Sequence, residues 1–113
     1  MSSRSLQQRL QDILEQAEEI LDFADGLDYE AFCADVKTVK AILYDLAVIG
    51  EAARSLLPDI QDVSPELPWE EMRAMRNLVV HEYFRVNLQI AWTTIKEDLP
   101  PLIDQVRALL EKV

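Results

Sequence analysis

Histidine and cysteine each occur once in this chain of 113 residues, as His81 and Cys33, and glycine occurs twice. A lone cysteine closes no internal disulfide, and Cys33 is expected to be an inert, buried thiol. A lone histidine excludes several metal chemistries. The second histidine that a zinc-protease helix needs is replaced by Arg85, and a di-iron bundle would require Glu-x-x-His pairs on two helices. No Gly-rich phosphate loop, serine elbow or Cys-x-x-Cys pair occurs. The expectation is a protein with no metal and no cofactor.

Long apolar runs are also missing. Leu46 to Ile49 and Leu78 to Val80 are the longest obvious ones, far short of the roughly 18 residues that span a bilayer. No membrane association is expected. The N-terminal stretch Met1 to Gln8 lacks the apolar core of a signal peptide, so cytoplasmic residence is expected. Positive charge is scarce: 11 Lys and Arg stand against 21 Asp and Glu, a formal net charge of -10. That balance disfavours a general nucleic-acid coat protein, whose affinity comes from cations neutralising phosphates. The charge is uneven, however. Between Arg73 and Arg85 there are three arginines and one acid, Glu82, so a local cationic site on an acidic body is compatible with the sequence.

The chain is rich in Leu, Ala, Glu, Gln, Arg and Lys, which lose least on entering a helix. Its length suits one domain over residues 1–113 that buries a core without staples. From Leu6 to Ala24, apolar residues recur at three- and four-residue steps and predict an amphipathic helix that Gly26 terminates, with Asp28 as the cap of the next one. A second helical region runs to about Leu57, with a break near Cys33 to Asp35, and Gly50 inside its apolar stripe suggests close helix packing. Pro58 to Pro68 is the irregular connection, in which Ser64-Pro65-Glu66 reads as a cap followed by a first-turn proline. Pro68 opens a third helix toward His81. Tyr83 to Val86 then reads as a corner, Asn87 as a cap, and Pro100-Pro101 as a kink or restart of the last amphipathic segment. The predicted fold is all-α, an up-and-down antiparallel bundle of four to five helices.

One polar cluster stands out: Arg73, Arg76, Asn77, His81, Tyr83 and Arg85, within thirteen residues around a helix end. Asn77 and His81 share a helix face, so the amide can orient the imidazole. Arg76 and His81 lie about 140° apart on an ideal helix. A joint site therefore needs local unwinding or a second chain. The residue types suit phosphodiester chemistry, since histidine moves a proton near neutrality and arginine holds a phosphate as charge develops. RNA carries its own nucleophile, the 2′-hydroxyl, and needs no metal. Trp69 and Trp92 read as core or dimer-interface anchors, Glu51 as structural or as a buried carboxylate paired with an arginine, and Glu15, Glu18 and Glu19 as a solvated face.

Met75-Arg76-Asn77 followed by Val80-His81-Glu82-Tyr83-Phe84 resembles the Arg, four residues, His, any residue, Tyr motif of the HepT branch of the HEPN superfamily. Ile49-Gly50-Glu51-Ala52-Ala53, Leu67-Pro68-Trp69, and Trp92 with Asp98-Leu99-Pro100 are similar to that family as well. The resemblance spans the chain from about Ala41 onward. It implies a HEPN-like homodimeric bundle with metal-independent endoribonuclease activity in a cleft between protomers. It further implies a type VII toxin-antitoxin toxin, neutralised by a cognate MNT-type nucleotidyltransferase antitoxin. On this resemblance Arg76 and His81 are the catalytic pair, Asn77 is the supporting polar residue, and Tyr83 is the residue that receives AMP units. Many relatives resemble one another in having glycine where this chain has Glu82. A carboxylate there can repel RNA, raise the pKa of His81 or pair with Arg85. A second reading from another class is a noncatalytic dimeric adaptor that binds the nucleotidyltransferase.

Overall fold

A computed structural model describes residues 5–113; Met1 to Arg4, the first part of the stretch that lacks a signal peptide's apolar core, lie outside the described residues. Helix α1 spans Leu6–Ala24 and α2 spans Tyr29–Ala34; α3, Val36–Leu56, is the longest. The short α4, Asp59–Val63, precedes α5, Trp69–His81. A 3-10 turn at Tyr83–Arg85 leads into α6, Leu88–Thr93, which runs through a π-helical turn at Thr94–Asp98 into α7, Leu99–Lys112. No strand occurs among the described residues. The architecture is the expected all-α bundle: α1, α3, α5 and the continuous α6-to-α7 rod are its long members, and the two short helices lie in the connections.

Local sequence explains most boundaries. Ser5 and Gln8 form a reciprocal capping box at the start of α1, satisfying two of the donors that a helix start leaves open. Gly26, at φ 79°, takes the left-handed conformation that L side chains avoid and stops the helix. Asp28 caps α2 and Asp35 caps α3 through their carboxylates, and Asp35 is what breaks the second helical region where expected. Asn87 caps α6, accepting from the amides of Gln89 and Ile90.

One of the two expectations about the prolines needs correction. Ser64 does not open a helix: it follows α4, and residues 64–68 form an irregular turn. Its carbonyl instead accepts the buried indole N–H of Trp69 at 2.7 Å, and its hydroxyl donates to Glu66. Pro100-Pro101 marks a restart, as expected, since α7 begins at Leu99. Both rings sit in the first turn of α7, where the missing N–H costs least. The preceding turn widens, with the Leu99 amide bonding to the Thr94 carbonyl.

The core gathers Leu10, Ile13, Ala17 and Ile20 of α1 with Ile42, Leu43, Leu46 and Ala53 of α3, Trp69 of α5, and Ile95 and Val106 of the last rod. Each large apolar side chain buried this way contributes about 1.5–3 kcal/mol relative to exposure. Trp69 is fully buried, as expected of a core anchor. Trp92 is half-buried, its ring 5.0 Å from Phe32 and 6.3 Å from Tyr29, with the Lys96 ammonium over its face, so it docks α2 on α6. Cys33 is half-buried rather than buried. Glu18 is not merely solvated, because it pairs with Arg107 and ties α1 to α7. No helix among the described residues is long and apolar enough to cross a membrane.

Candidate functional site

The polar cluster read from the sequence is carried by one straight helix and the corner after it. Helix α5 continues without a break to His81, so the local unwinding that would bring Arg76 and His81 together within one chain does not occur. Arg76 faces α3, and His81 is exposed at the helix end.

Close approach of α3 and α5 sets the Arg76 half of the site. A Cβ placed on Gly50 would stand 2.3 Å from Arg76 Cβ and 2.4 Å from the Met72 carbonyl. Only glycine permits this contact. The neighbouring Glu51 then reaches Arg76 in an ion pair, Oε1 lying 3.0 Å from Nε. Glu51 also holds Arg54, with Nε at 3.2 Å and Nη2 at 2.7 Å. The two guanidiniums keep the Glu51 carboxyl below its ordinary range, Arg54 through its hydrogen bonds more than Arg76. Of the two readings open to Glu51, a structural residue or a buried carboxylate paired with an arginine, the structure has the arginine pairing, twice over and half-exposed rather than buried. The signal available was the adjacent Gly50, which marks where the two helices touch.

The His81 half is a cleft of about 430 Å³ lined by Ala74, Asn77, Leu78, His81 and Glu82. Asn77 lies there as expected, but its side-chain oxygen accepts from Arg76 Nη1 at 2.9 Å rather than engaging His81. Of the three uses open to Glu82, the structure has the pair with Arg85, at 2.5 Å. Arg73 pairs with Glu70. All three arginines of the segment therefore have a carboxylate partner, and the local cationic site is less positive than its arginine count suggests.

Beyond His81, Tyr83 is 37% exposed and Phe84 is 99% exposed, their rings edge to face with centroids 5.8 Å apart. Val80 and Ile90 are also more than half exposed. An apolar groove of about 720 Å³ runs beside α5, lined by residues including Leu46, Met75, Ile90 and Leu102. It adjoins the His81 cleft, because Ala74 and Leu78 line both.

The family described as "Ribonuclease HepT-like" matches residues 13–109. The chain belongs to the HepT-like ribonuclease family. A relative from Thermococcus cleftensis, named "Probable ribonuclease HepT", is 40% identical over 88% of this chain and 90% of its own. Two others, from Methanocaldococcus jannaschii and Caldanaerobacter subterraneus subsp. tengcongensis, carry the name "Putative RNase". Each is 35% identical, the first over 94% of this chain and 97% of its own, the second over 91% and 92%. No solved structure matches. Family membership makes ribonuclease the enzyme class that the geometry of this HepT-like site has to serve.

Proposed function

We propose that the protein is a metal-independent endoribonuclease that works as a homodimer, with Arg76 and His81 as its catalytic residues. The observation that carries this reading is the division of the motif within one protomer: Arg76 is turned toward Glu51 of α3, while His81 is exposed and lines a cleft whose lining does not include Arg76. Two motifs facing each other across a two-fold axis would supply both residue types to one phosphate. The exposed Val80, Phe84 and Ile90, and the apolar groove that adjoins the His81 cleft, suit burial against a second copy.

In such a cleft the 2′-hydroxyl attacks the adjacent phosphorus while one histidine takes its proton. The 5′-oxygen leaves and is protonated by the other histidine, giving a 2′,3′-cyclic phosphate and a free 5′-hydroxyl. Each chain has one histidine, so a dimer supplies one base and one acid. Arg76 stabilises the charge that accumulates on the phosphoryl oxygens. Asn77 supports the arginine through its hydrogen bond.

The biological role in this reading is that of a type VII toxin neutralised by a cognate nucleotidyltransferase of the MNT type, which attaches AMP units to Tyr83. The exposed position of Tyr83 at the corner supports it. A noncatalytic dimeric adaptor for the same nucleotidyltransferase is the rival. It draws on the pairing of Arg73, Arg76 and Arg85 with carboxylates, on a chain of net charge -10. Purified protein incubated with RNA and a chelator separates the two. Cleavage that His81→Ala and Arg76→Ala each abolish, with helical circular dichroism unchanged, is the expected result; intact RNA, or cleavage retained in both variants, sinks the mechanism.

A further inference from the structure

Arg76 is held at two of its three guanidinium nitrogens. Its Nε is ion-paired with Glu51 at 3.0 Å and its Nη1 donates to Asn77 at 2.9 Å. These contacts engage different nitrogens of a planar fork, so together they restrain the orientation of the guanidinium. Among the described residues no acceptor meets Nη2. The N–H groups of Nη2 are left to meet a phosphate oxygen.

Glu51 is itself fixed from two sides. Arg54, one turn along α3, occupies both of its oxygens, and the contact between Gly50 and Arg76 sets the spacing of the two helices. One carboxylate between two guanidiniums leaves a net positive charge, so Arg76 is oriented without its attraction for an anion being cancelled. The side chains are too exposed for the network to be explained by stability: Glu51 is 42% exposed and Arg54 is 50% exposed, and ion pairs in water contribute little to folding.

We propose that Glu51 is a positioning residue, whose carboxylate holds Arg76 so that its Nη2 meets the scissile phosphate. This rests on the ribonuclease reading of the site. A preorganised cation stabilises the transition state without reorganising during the reaction, whereas a loose one still attracts the RNA backbone but meets the developing charge in the wrong geometry. Loss of Glu51 should therefore lower kcat and leave KM unchanged or lower, since a freed Arg76 remains able to bind phosphate.

The test is steady-state cleavage of one RNA oligonucleotide by wild type, Arg76→Ala, Glu51→Ala and Glu51→Gln, with thermal melts of each. Glu51→Ala should lose kcat by about 10- to 100-fold without a rise in KM, as expected when a catalytic group is misplaced by about an ångström. Glu51→Gln keeps an oxygen for Nε and should recover most of that loss at a comparable melting temperature. An active wild type with an equally active Glu51→Ala overturns the positioning role alone. So does a loss in Glu51→Ala that falls wholly on KM, or one that Glu51→Gln does not relieve although it stays folded. An inert wild type overturns the ribonuclease reading, and the positioning role with it.

Discussion

Gly50 and Arg76 meet backbone to side chain: a Cβ on the glycine would lie 2.3 Å from Arg76 Cβ and 3.1 Å from Arg76 Cα. Neither atom belongs to a flexible side-chain end, so Gly50→Ala has to push α5 off α3. The strain should destabilise the fold by about 1–3 kcal/mol, as overpacking in a tight interface does. It should also weaken the Glu51 contact with Arg76, so RNA cleavage should fall even where the variant is folded. Thermal melts and cleavage assays below the melting temperature check both effects. A variant as stable and as active as wild type would show that the helices are not constrained here.

Dimerisation is the second expectation. Within one chain the arginine and histidine halves of the motif are separated, and the apolar groove beside α5 is open to solvent. Light scattering at micromolar concentration should give the mass of two chains, and Phe84→Asp or Ile90→Asp should shift it toward one chain with cleavage lost in parallel. A monomeric wild type that cleaves RNA would remove the composite-site argument.

A third prediction concerns pH. Asp45 on α3 is 3% exposed, and its Oδ2 meets no donor among the described residues. Burial first, then hydrogen bonding to and repulsion from Glu19 on α1, pushes its pKa from 3.8 up to about 7. Because the folded state holds a proton that the unfolded chain releases near pH 4, the native form binds more protons between about pH 4 and pH 7. Stability from this group is therefore present at the acid end and is lost as pH rises through 7. Asp45→Asn puts an amide donor opposite Glu19 and should be more stable than wild type at pH 8, by about 1–3 kcal/mol, the cost of a buried polar group left unsatisfied. Near pH 4 to 5 the difference should shrink. Denaturant melts at both pH values measure it, and parallel pH dependences in the two proteins would contradict the assignment.

The range of each interaction decided whether it was legible in the sequence. The ends of α1 and the break before α3 were legible because Gly26, Asp28 and Asp35 act on backbone within a few residues. The role of Ser64 was not, because its carbonyl is claimed by the Trp69 indole, a tertiary choice that overrides its capping propensity. The polar residues after α5 were visible as a cluster, since one helix and one corner carry them. Their partners were not: Glu51 reaches Arg76 only once α3 and α5 pack, and Asn77 turns from His81 to the neighbouring arginine, a choice that helical spacing alone leaves open. Glu19 is exposed, as a wet stripe predicts, and its effect on Asp45 of α3 follows only from the packing of α1 on α3.

Regulation supplies the last prediction. Tyr83 follows His81 by two positions in a 3-10 turn, 37% exposed and leaning edge-on against Phe84, so its phenol is open to a modifying enzyme without unfolding of α5. An AMP unit attached to that oxygen adds a phosphodiester, with its negative charge and acceptor oxygens, together with a bulky nucleoside on a residue two positions from His81. Phosphate oxygens there would compete for the arginine grip meant for the RNA backbone and repel an incoming strand. Because the corner is at the surface, the helices have no reason to rearrange, and the modified protein should keep its melting temperature and its circular dichroism. Incubation with the cognate nucleotidyltransferase and ATP should raise the intact mass of wild type by whole AMP increments and silence its RNA cleavage, while Tyr83→Phe stays unmodified and active. If Tyr83→Phe gains the same mass and is silenced equally, the modified group lies elsewhere; if wild type gains the mass and cleaves as before, charge beside the cleft is not what controls the enzyme.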